Sequence, residues 1–128
     1  MMQSSAPLRR LRRTLIASAL TLAGLVASAR AEMALLMVEQ AGCVYCQQWN
    51  AEISAIYPLT DEGRAAPLRR VDLAAPTPPG VTLDRPALFT PTFVLLDDGR
   101  EVGRIEGYPG EDFFWGLLGG LLKQAAAR

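Results

Sequence analysis

Two cysteines set three residues apart constrain this chain more than any other feature of its sequence. Cys43 and Cys46 are the only cysteines among its 128 residues. An apolar run at residues 34–40 precedes them, which is typical of a strand covered on both faces, and apolar residues at helical spacing follow them. Cysteines at this spacing on a helix share a face and lie within reach of a disulfide bond. The sequence therefore predicts a pair of thiols at a junction between a strand and a helix.

The remaining pattern predicts an α/β fold, with a mixed four-stranded sheet flanked by helices. Apolar residues three or four apart predict a helix over residues 46–57, which Pro58 is expected to end. Three further strands are predicted, at residues 68–73, 92–96 and 100–108. The proline-rich stretch at residues 75–89 is expected to be irregular, with at most one short helix. A final helix is predicted after Pro109, and Gly119-Gly120 is expected to fray its end.

The first 31 residues have the pattern of a secretory signal peptide. Four arginines lie before residue 14, residues 14–29 carry no charge, and Ala29-Arg30-Ala31 has the small residues of a cleavage site. The uncharged stretch is shorter than the roughly 20 residues of a membrane-spanning helix. We therefore expect cleavage after Ala31, with an uncleaved membrane anchor as the alternative. Residues 32–128 are then the working domain, in a periplasmic location where disulfides persist.

The composition excludes several classes of function. The chain has no histidine, which removes serine–histidine and cysteine–histidine catalysis and histidine-ligated metal. Two cysteines cannot complete a tetrahedral zinc site within one chain, so no metal is expected. Five of the thirteen basic residues lie in the first 31 positions, so residues 32–128 carry eight bases against thirteen acids, a net charge of −5. Because nucleic-acid binding depends largely on neutralising phosphates, it is not expected either.

The two sulfurs are predicted to differ in their surroundings. Cys43 is at the beginning of a helix, where unpaired backbone N–H groups favour its thiolate, whereas Cys46 lies one turn further on the apolar face. Cys43 is therefore the expected nucleophile, and Cys46 the residue that resolves the mixed disulfide. A permanent disulfide staple is the alternative, but so short a loop stabilises a fold by only about 2 kcal/mol, against about 5 kcal/mol for a 100-residue loop. A metal shared between two chains is a third alternative.

The dipeptide Thr90-Pro91 directly precedes a predicted strand, where an ordinary trans proline is well tolerated. With C-V-Y-C after a strand, T-P before a later strand and a closing hairpin and helix, residues 32–128 resemble the thioredoxin superfamily in a minimal form. The segments MVEQAGCVYCQQW, GRAAPLRRVDL and FTPTFVLLDDGREVGRIEGYPGEDFFWGLL resemble in particular the periplasmic thioredoxins of bacterial sulfur-oxidation (Sox) gene clusters, the SoxS type.

This resemblance implies a thiol-disulfide oxidoreductase that uses its cysteine pair and no bound cofactor. The implied site consists of Cys43 as nucleophile, Cys46 as resolving cysteine, Val44 and Tyr45 as the dipeptide that tunes the reduction potential, Pro91 as a cis-proline, and Thr90 as a contact to the substrate backbone. The implied substrate is a protein disulfide of the SoxYZ sulfur carrier of thiosulfate oxidation, which the protein would keep reduced. A membrane thiol transporter would supply the electrons.

Departures from ordinary thioredoxins leave the direction of exchange open. Ala41-Gly42 stands where a tryptophan is usual, and Val44-Tyr45 replaces Gly-Pro. No obvious buried acid is present; Glu39 is the nearest candidate, and we expect it to be solvated, like Arg69-Arg70. The alternatives are general disulfide reduction, isomerisation or cytochrome c thiol reduction by the same chemistry, and a non-catalytic module that binds a partner through the sheet edge and the last helix.

Overall fold

Strands and helices follow one another in the predicted order, with one additional helix. The computed structural model describes residues 31–128, so the predicted leader lies outside the described residues except for Ala31. The strands are β1 (Met33–Glu39), β2 (Leu68–Asp72), β3 (Thr92–Asp97) and β4 (Arg100–Glu106). The helices are α1 (Val44–Trp49), α2 (Asp61–Ala65) and α3 (Glu111–Ala126). Every predicted strand is present, and its ends lie within two residues of the predicted ones.

The four strands form one mixed sheet in the order β2-β1-β3-β4. Leu35 of β1 lies opposite Leu68 of the parallel strand β2 and opposite Leu95 of the antiparallel strand β3. Strands β3 and β4 form an antiparallel hairpin, whose pairing shifts by one residue between Leu95 and Leu96. Parallel neighbours need a crossover connection, which α1 and α2 supply between β1 and β2. The prediction of an α/β fold with a mixed four-stranded sheet is confirmed.

The two faces of the sheet are covered by different kinds of structure. Because side chains alternate along each strand, Leu36, Val94 and Leu96 face away from the helices and form a small cluster. Val81 and Leu83 cover this cluster from the irregular segment between β2 and β3. The opposite face carries the main core, which includes Leu35, Met37, Trp49, Ile53, Phe93, Leu95, Phe114 and Leu118. Helices α1 and α3 therefore lie on the same face of the sheet.

Trp49 is at the centre of the face that the helices cover. The centroid of its ring lies 5.2 Å from that of Phe93, 5.8 Å from that of Phe114 and 6.1 Å from that of Tyr57. All four side chains are fully buried. Tilted and edge-to-face pairs at these distances each contribute about 1 kcal/mol beyond the burial of their apolar surface. The aromatic cluster thus holds α1, which follows the first cysteine, firmly against the sheet.

The helix that begins at the cysteines is shorter than the sequence predicts. α1 ends at Trp49 and continues as the π-helical turn Asn50–Ser54, which is followed by the 3-10 turn Tyr57–Leu59. The prediction of a single helix over residues 46–57 is therefore wrong in its second half. Pro58 lies within the first turn of the 3-10 segment, a position where its missing N–H costs nothing, so it helps to begin a new turn.

Helix α2 is absent from the prediction, although its N-terminus carries a recognisable signal. The side chain of Thr60 caps it by accepting a hydrogen bond from the backbone N–H of Gly63 at 3.0 Å. Asp61 and Glu62 follow in the first turn, where the helix dipole favours acids. At five residues the helix is too short to show a hydrophobic period, so the sequence pattern does not predict it.

Helix α3 continues through Gly119-Gly120 to its end at Ala126. The expectation that these two glycines fray the helix is therefore wrong. Phe114 and Leu118 on its inner face are fully buried, and the packing of such a face outweighs the poor helix propensity of glycine.

Residues 73–91, between β2 and β3, are irregular as predicted and contain no helix. An isolated parallel bridge pairs Thr82 with Arg100 at the beginning of β4. The segment approaches the β3–β4 turn so closely that a Cβ atom on Gly99 would lie 2.0 Å from the carbonyl oxygen of Gly80. Only glycine fits there, since its φ of 80° is also in the left-handed region. The irregular segment therefore packs against the β3–β4 hairpin.

Candidate active site

Cys43 and Cys46 lie at the junction of β1 and α1 and are joined by a disulfide bond. Cys43 is the N-cap of α1, and the backbone N–H of Cys46 donates a hydrogen bond to its sulfur at 3.1 Å. Gly42, with a φ of 77°, directs the chain from the strand into the helix. When the bond is reduced, a backbone donor at this distance stabilises negative charge on the Cys43 sulfur. The structure therefore places both cysteines where the sequence predicts them.

The two cysteines differ in exposure in the predicted sense. Cys43 is 9% exposed and Cys46 only 3% exposed. Both cysteines belong to the main core together with Met37 and Trp49, and Cys46 is the more deeply buried. Both side chains are nearly buried in the disulfide form, and Cys43 is the more accessible of the two. The roles of nucleophile and resolving cysteine stay predictions that follow from this asymmetry.

Val44 and Tyr45, between the two cysteines, point into solvent. Their exposed fractions are 69% and 58%. Large apolar side chains with this exposure beside a nearly buried disulfide are available to an approaching protein. Their predicted influence on the reduction potential stays a prediction.

The Thr90–Pro91 peptide bond is cis, as the resemblance implies. Gln40, which follows β1, donates a hydrogen bond from its side-chain amide to the hydroxyl of Thr90 at 3.0 Å. The backbone carbonyl of Pro91 accepts a hydrogen bond at 2.7 Å from the N–H of Gly107, just beyond β4. The bond to Gln40 brings the segment before β3 next to the loop that leads into Cys43, and the bond to Gly107 joins it to the end of β4. Contact of Thr90 and Pro91 with a substrate stays a prediction.

Leu88 and Phe89, just before Thr90, are a feature that the sequence analysis did not identify. They are 75% and 59% exposed, although leucine and phenylalanine are usually buried. The hydroxyl of Thr92 donates a hydrogen bond to the carbonyl of Phe89 at 2.8 Å, which fixes the backbone beneath them. Only their position beside Thr90-Pro91 could have indicated a role at the site. The exposure of apolar residues in an irregular segment cannot be predicted from the sequence.

A cleft of about 340 Å³ lies beside the disulfide on the side of β2. Ala41 and Gly42 form its edge near Cys43, and the buried Cys46 contributes to its lining. The charged residues that line it are Glu39, Arg70 and Asp72. The cleft therefore connects polar, partly solvated groups with the more deeply buried cysteine.

Arg70 is held in the wall of this cleft by contacts that the sequence analysis missed. Its guanidinium donates to Glu39 at 2.5 Å, to Asn50 at 2.9 Å and to Ser54 at 2.8 Å. It also lies over the ring of Trp49, with its central carbon 5.6 Å from the ring centroid. The expectation that Glu39 and Arg70 are simply solvated is therefore wrong, although both remain partly exposed.

Tyr108 and Glu52 connect the π-helical turn to the loop that follows β4. The hydroxyl of Tyr108 donates a hydrogen bond to the carboxylate of Glu52. Burial and this carboxylate raise the pKa of Tyr108, so it stays protonated. The donated hydrogen bond, helped by a second from Gln48, lowers the pKa of Glu52. The contact thus joins a neutral donor to an ionised acceptor over the physiological pH range.

Over residues 31–128, no three histidine, cysteine, aspartate or glutamate side chains come together as a metal site would require. The same stretch of chain has no helix long and apolar enough to cross a membrane.

Comparisons with known proteins agree with this geometry. The family model of the thioredoxin-like domain matches residues 23–120. The reduced form of the periplasmic thioredoxin SoxS from Paracoccus pantotrophus is 61% identical in sequence, with a TM-score of 0.72 over 73% of this chain and 99% of that one. The thioredoxin of Malassezia sympodialis, 13% identical with a TM-score of 0.52 over 73% of this chain and 80% of that one, shows the fold alone. No curated protein matches the chain.

The predicted resemblance to thioredoxins, and to the SoxS type in particular, is confirmed by these matches. The prediction of an enzyme is confirmed as well, because a thioredoxin fold with a C-x-x-C pair is that of a thiol-disulfide oxidoreductase. The family model spans well over half of the chain. The chain belongs to the thioredoxin-like family.

Proposed function

We propose that this protein is a periplasmic thiol-disulfide oxidoreductase that reduces the SoxYZ sulfur carrier of thiosulfate oxidation. The observation that carries the proposal is the Cys43–Cys46 pair at the beginning of α1, in a chain 61% identical to a periplasmic thioredoxin SoxS. That relative is described as periplasmic, which supports the same location here. Reduction of a carrier protein, rather than of a small molecule, fits a site whose surroundings are exposed and apolar.

In the proposed reaction the reduced pair transfers two electrons to a substrate disulfide. The Cys43 thiolate, stabilised by the N–H of Cys46, attacks one sulfur of the substrate, forms a mixed disulfide and releases the first substrate thiolate. Cys46 then loses its proton to water and attacks the Cys43 sulfur. The second substrate thiolate leaves, and the Cys43–Cys46 disulfide remains. Both electrons come from the cysteine pair, so the exchange needs no bound cofactor.

Four exposed apolar side chains provide the surface on which a protein substrate would rest. Val44 and Tyr45 lie beside the disulfide, and Leu88 and Phe89 lie beside Thr90. We call these four residues the apolar rim. Residues 40–46 and 86–91, which carry the rim and its surroundings, contain no charged residue. The rim therefore favours a substrate segment that presents apolar, uncharged side chains next to its cysteine.

The oxidised pair must be reduced again outside the cytoplasm for the cycle to continue. We infer that a membrane thiol transporter donates these electrons, because cytosolic reductases do not reach the periplasm. N-terminal sequencing of the exported protein is expected to begin at Glu32, which follows the predicted cleavage site. A chain that retains its first 31 residues and sediments with membranes would instead be anchored.

The proposal is tested by trapping the mixed disulfide in periplasmic extracts. In a Cys46→Ser variant the second step cannot occur, so substrates are expected to stay bound to Cys43. Cys43→Ser is the matched control, because it keeps one cysteine of the pair but lacks the nucleophile. Mass spectrometry of the adducts is expected to find the sulfur carrier on the Cys46→Ser variant and not on the control.

Other outcomes of this experiment correspond to the alternative functions. Adducts with cytochromes or with assorted secreted proteins, in place of the sulfur carrier, would indicate general disulfide reduction or isomerisation. Capture of a partner by both cysteine variants, without any covalent adduct, would indicate a non-catalytic binding module. Either result would overturn the proposed substrate, and the second would overturn the proposed chemistry as well.

A further inference from the structure

The cleft beside the disulfide gives Cys46 a charged neighbourhood that its 3% exposure would not suggest. Glu39 at the end of β1, Arg70 on β2 and Asp72 at the end of β2 line the cleft together with this cysteine. Asp72 is engaged by the backbone, since its carboxylate accepts a hydrogen bond from the N–H of Ala74 at 2.8 Å. Arg70 is the one cationic residue in the lining.

The position of Arg70 is fixed by two separate parts of the chain, β1 and the π-helical turn. Glu39 of β1 accepts one hydrogen bond, and Asn50 and Ser54, at the two ends of the π-helical turn, accept two others. A fourth contact, at 3.6 Å, is made with the sulfur of Met37. A π-helical turn in place of a regular helix places both of its polar ends toward one guanidinium. Such turns are frequent at functional sites.

Arginine is suited to this place for a further reason. Arginine carries a delocalised positive charge, and its planar guanidinium stacks on aromatic rings. Here it lies over Trp49, which is one helical turn beyond Cys46 on the same buried face. The fixed positive charge therefore lies against the wall of the core that contains the sulfur of Cys46.

We propose that Arg70, oriented by Glu39, is a positioning residue that stabilises the thiolate of Cys46 during resolution of the mixed disulfide. The inference rests on the proposed function, because resolution occurs only in a thiol-disulfide oxidoreductase. In this step the Cys46 thiol gives its proton to water in the cleft. The thiolate forms a bond to the Cys43 sulfur, the bond between Cys43 and the substrate breaks, and the substrate thiolate leaves with that electron pair.

The two partners are expected to act with opposite signs. Loss of the cation leaves Glu39 and Asp72 facing the cleft, which disfavours the thiolate of Cys46 and slows resolution. Loss of the Glu39 charge leaves Arg70 uncompensated, which favours the thiolate and speeds resolution. Both residues are partly exposed, so solvent screens them, and we expect changes of about threefold in either direction near neutral pH.

The test follows the reaction of the reduced protein with 5,5′-dithiobis(2-nitrobenzoate) by stopped flow. The first thionitrobenzoate released reports attack by Cys43, and the second reports resolution by Cys46. Arg70→Met is expected to slow the second phase about threefold and to shift the midpoint of its pH profile upward. Glu39→Gln is expected to do the opposite. The first phase is expected to change little in both variants.

Arg69→Met is the matched control, because it removes the same charge from the neighbouring residue on the opposite face of the sheet. Arg69 lines a different cleft with Glu32 and Asp98, so its loss is expected to leave both phases unchanged. Arg70→Lys keeps the charge but loses the forked hydrogen bonds, and it is expected to retain most of the second-phase rate. This variant also covers the case in which Arg70→Met fails to fold.

Three different results would contradict the inference and can be told apart. If Cys43→Ser reacts with 5,5′-dithiobis(2-nitrobenzoate) as fast as Cys46→Ser does, the cysteines are equivalent and the proposed function itself fails. If the first phase is normal but Arg70→Met behaves like Arg69→Met, only the role of Arg70 is overturned. Equal slowing by Arg70→Met and Glu39→Gln would also overturn it, because it would indicate lost packing without an effect of charge.

Discussion

The two faces of the sheet are stabilised in different ways, although the same strands supply both. On the face that α1 and α3 cover, Trp49, Phe93 and Phe114 form a fully buried aromatic cluster. On the other face the apolar cluster is small, and an irregular segment covers it. The cysteines therefore rest on a large apolar core, whereas the segment that carries Thr90-Pro91 needs other means of support. The site therefore combines a part that the apolar core supports, the cysteines, with a part that is supported in another way, the segment of Thr90-Pro91.

Polar contacts fix the irregular segment to β4. Glu101 and Arg104 form an ion pair at 2.6 Å, and their side chains are only 2% and 6% exposed. Glu101 accepts a hydrogen bond from the N–H of Asp84 at 2.8 Å, and Arg104 donates one to the carbonyl of Arg85 at 2.7 Å. Because the pair binds backbone groups of the segment, it positions the chain a few residues before Thr90. This half of the site thus depends on satisfied buried charges.

The largest expected effect comes from truncating the aromatic core. Phe93→Ala removes a fully buried ring from the helical face and is expected to lower the free energy of unfolding by about 4 kcal/mol. Val94→Ala, at the next residue of β3 and on the opposite face, is the matched control, with an expected loss of about 2 kcal/mol. Urea unfolding of the oxidised proteins measures both. Because Phe93→Ala removes the larger side chain, equal losses would mean that the face opposite the helices contributes more per buried atom.

The buried ion pair is expected to give the next largest effect. Glu101→Gln leaves Arg104 buried without its counter-charge, and we expect a loss of about 3 kcal/mol in the free energy of unfolding. Burial raises the pKa of Glu101, but the hydrogen bond and charge of Arg104 outweigh it and hold this pKa below its ordinary value. The folded protein therefore binds fewer protons here than the unfolded chain does.

This difference gives the pair a distinct dependence on pH. Its contribution is present above the pKa that glutamate has in the unfolded chain and is lost as the pH falls below roughly 4. The unfolding free energy of the Glu101→Gln variant is expected to fall less steeply than that of the wild-type protein in this range. Parallel pH profiles for the two proteins would indicate that Glu101 contributes as a neutral group.

The contrast between the two faces also explains what could be predicted from the sequence. The strand β3, the hairpin and the cysteine pair are encoded by residues that are adjacent or three to four apart, and such local periods can be read directly. The position of Thr90-Pro91 beside Cys43 follows from the topology, once the order of the strands is known. The cysteine pair and the position of Thr90-Pro91 were therefore predictable.

The polar contacts around the site could not be predicted, because most of them join residues distant in sequence. Arg70 contacts Glu39 and Asn50, which lie 31 and 20 residues away, and nothing in its own segment distinguishes it from Arg69. Glu101 and Arg104 are close in sequence, yet their importance comes from the backbone of residues 84–85. Charged residues on a predicted strand are expected to be solvated, because the sequence does not show which of them come into contact in the fold.

Substitutions in the apolar rim are expected to have a smaller effect, which changes the kinetics of reduction and not the stability of the fold. Leu88→Ser and Phe89→Ser change exposed side chains, so the free energy of unfolding is expected to stay within about 0.5 kcal/mol of the wild-type value. Reduction of a protein disulfide, with insulin as the probe, is expected to slow about fivefold, while a small disulfide reacts normally.

Leu59→Ser is the control for the rim variants. Leu59 is 71% exposed, as the rim residues are, but it lies on the turn Tyr57–Leu59. Its replacement is expected to leave insulin reduction unchanged. Slowing of insulin reduction by Leu59→Ser to the same extent would show that general surface hydrophobicity matters and that the rim has no special part in binding substrate.

The smallest expected effect concerns α3, on the helical face. A Cβ atom on Gly119 would meet no other atom within 4 Å, so alanine fits without rearrangement. Because glycine loses more backbone entropy than alanine when a helix forms, Gly119→Ala is expected to raise the free energy of unfolding by about 0.5–1 kcal/mol. Gly99→Ala, where a Cβ atom would collide with the carbonyl of Gly80, is expected to lower it. If Gly119→Ala is destabilising instead, something beyond the contacts of this chain requires the glycine, and the outer surface of α3 would then be a site of close approach to another molecule.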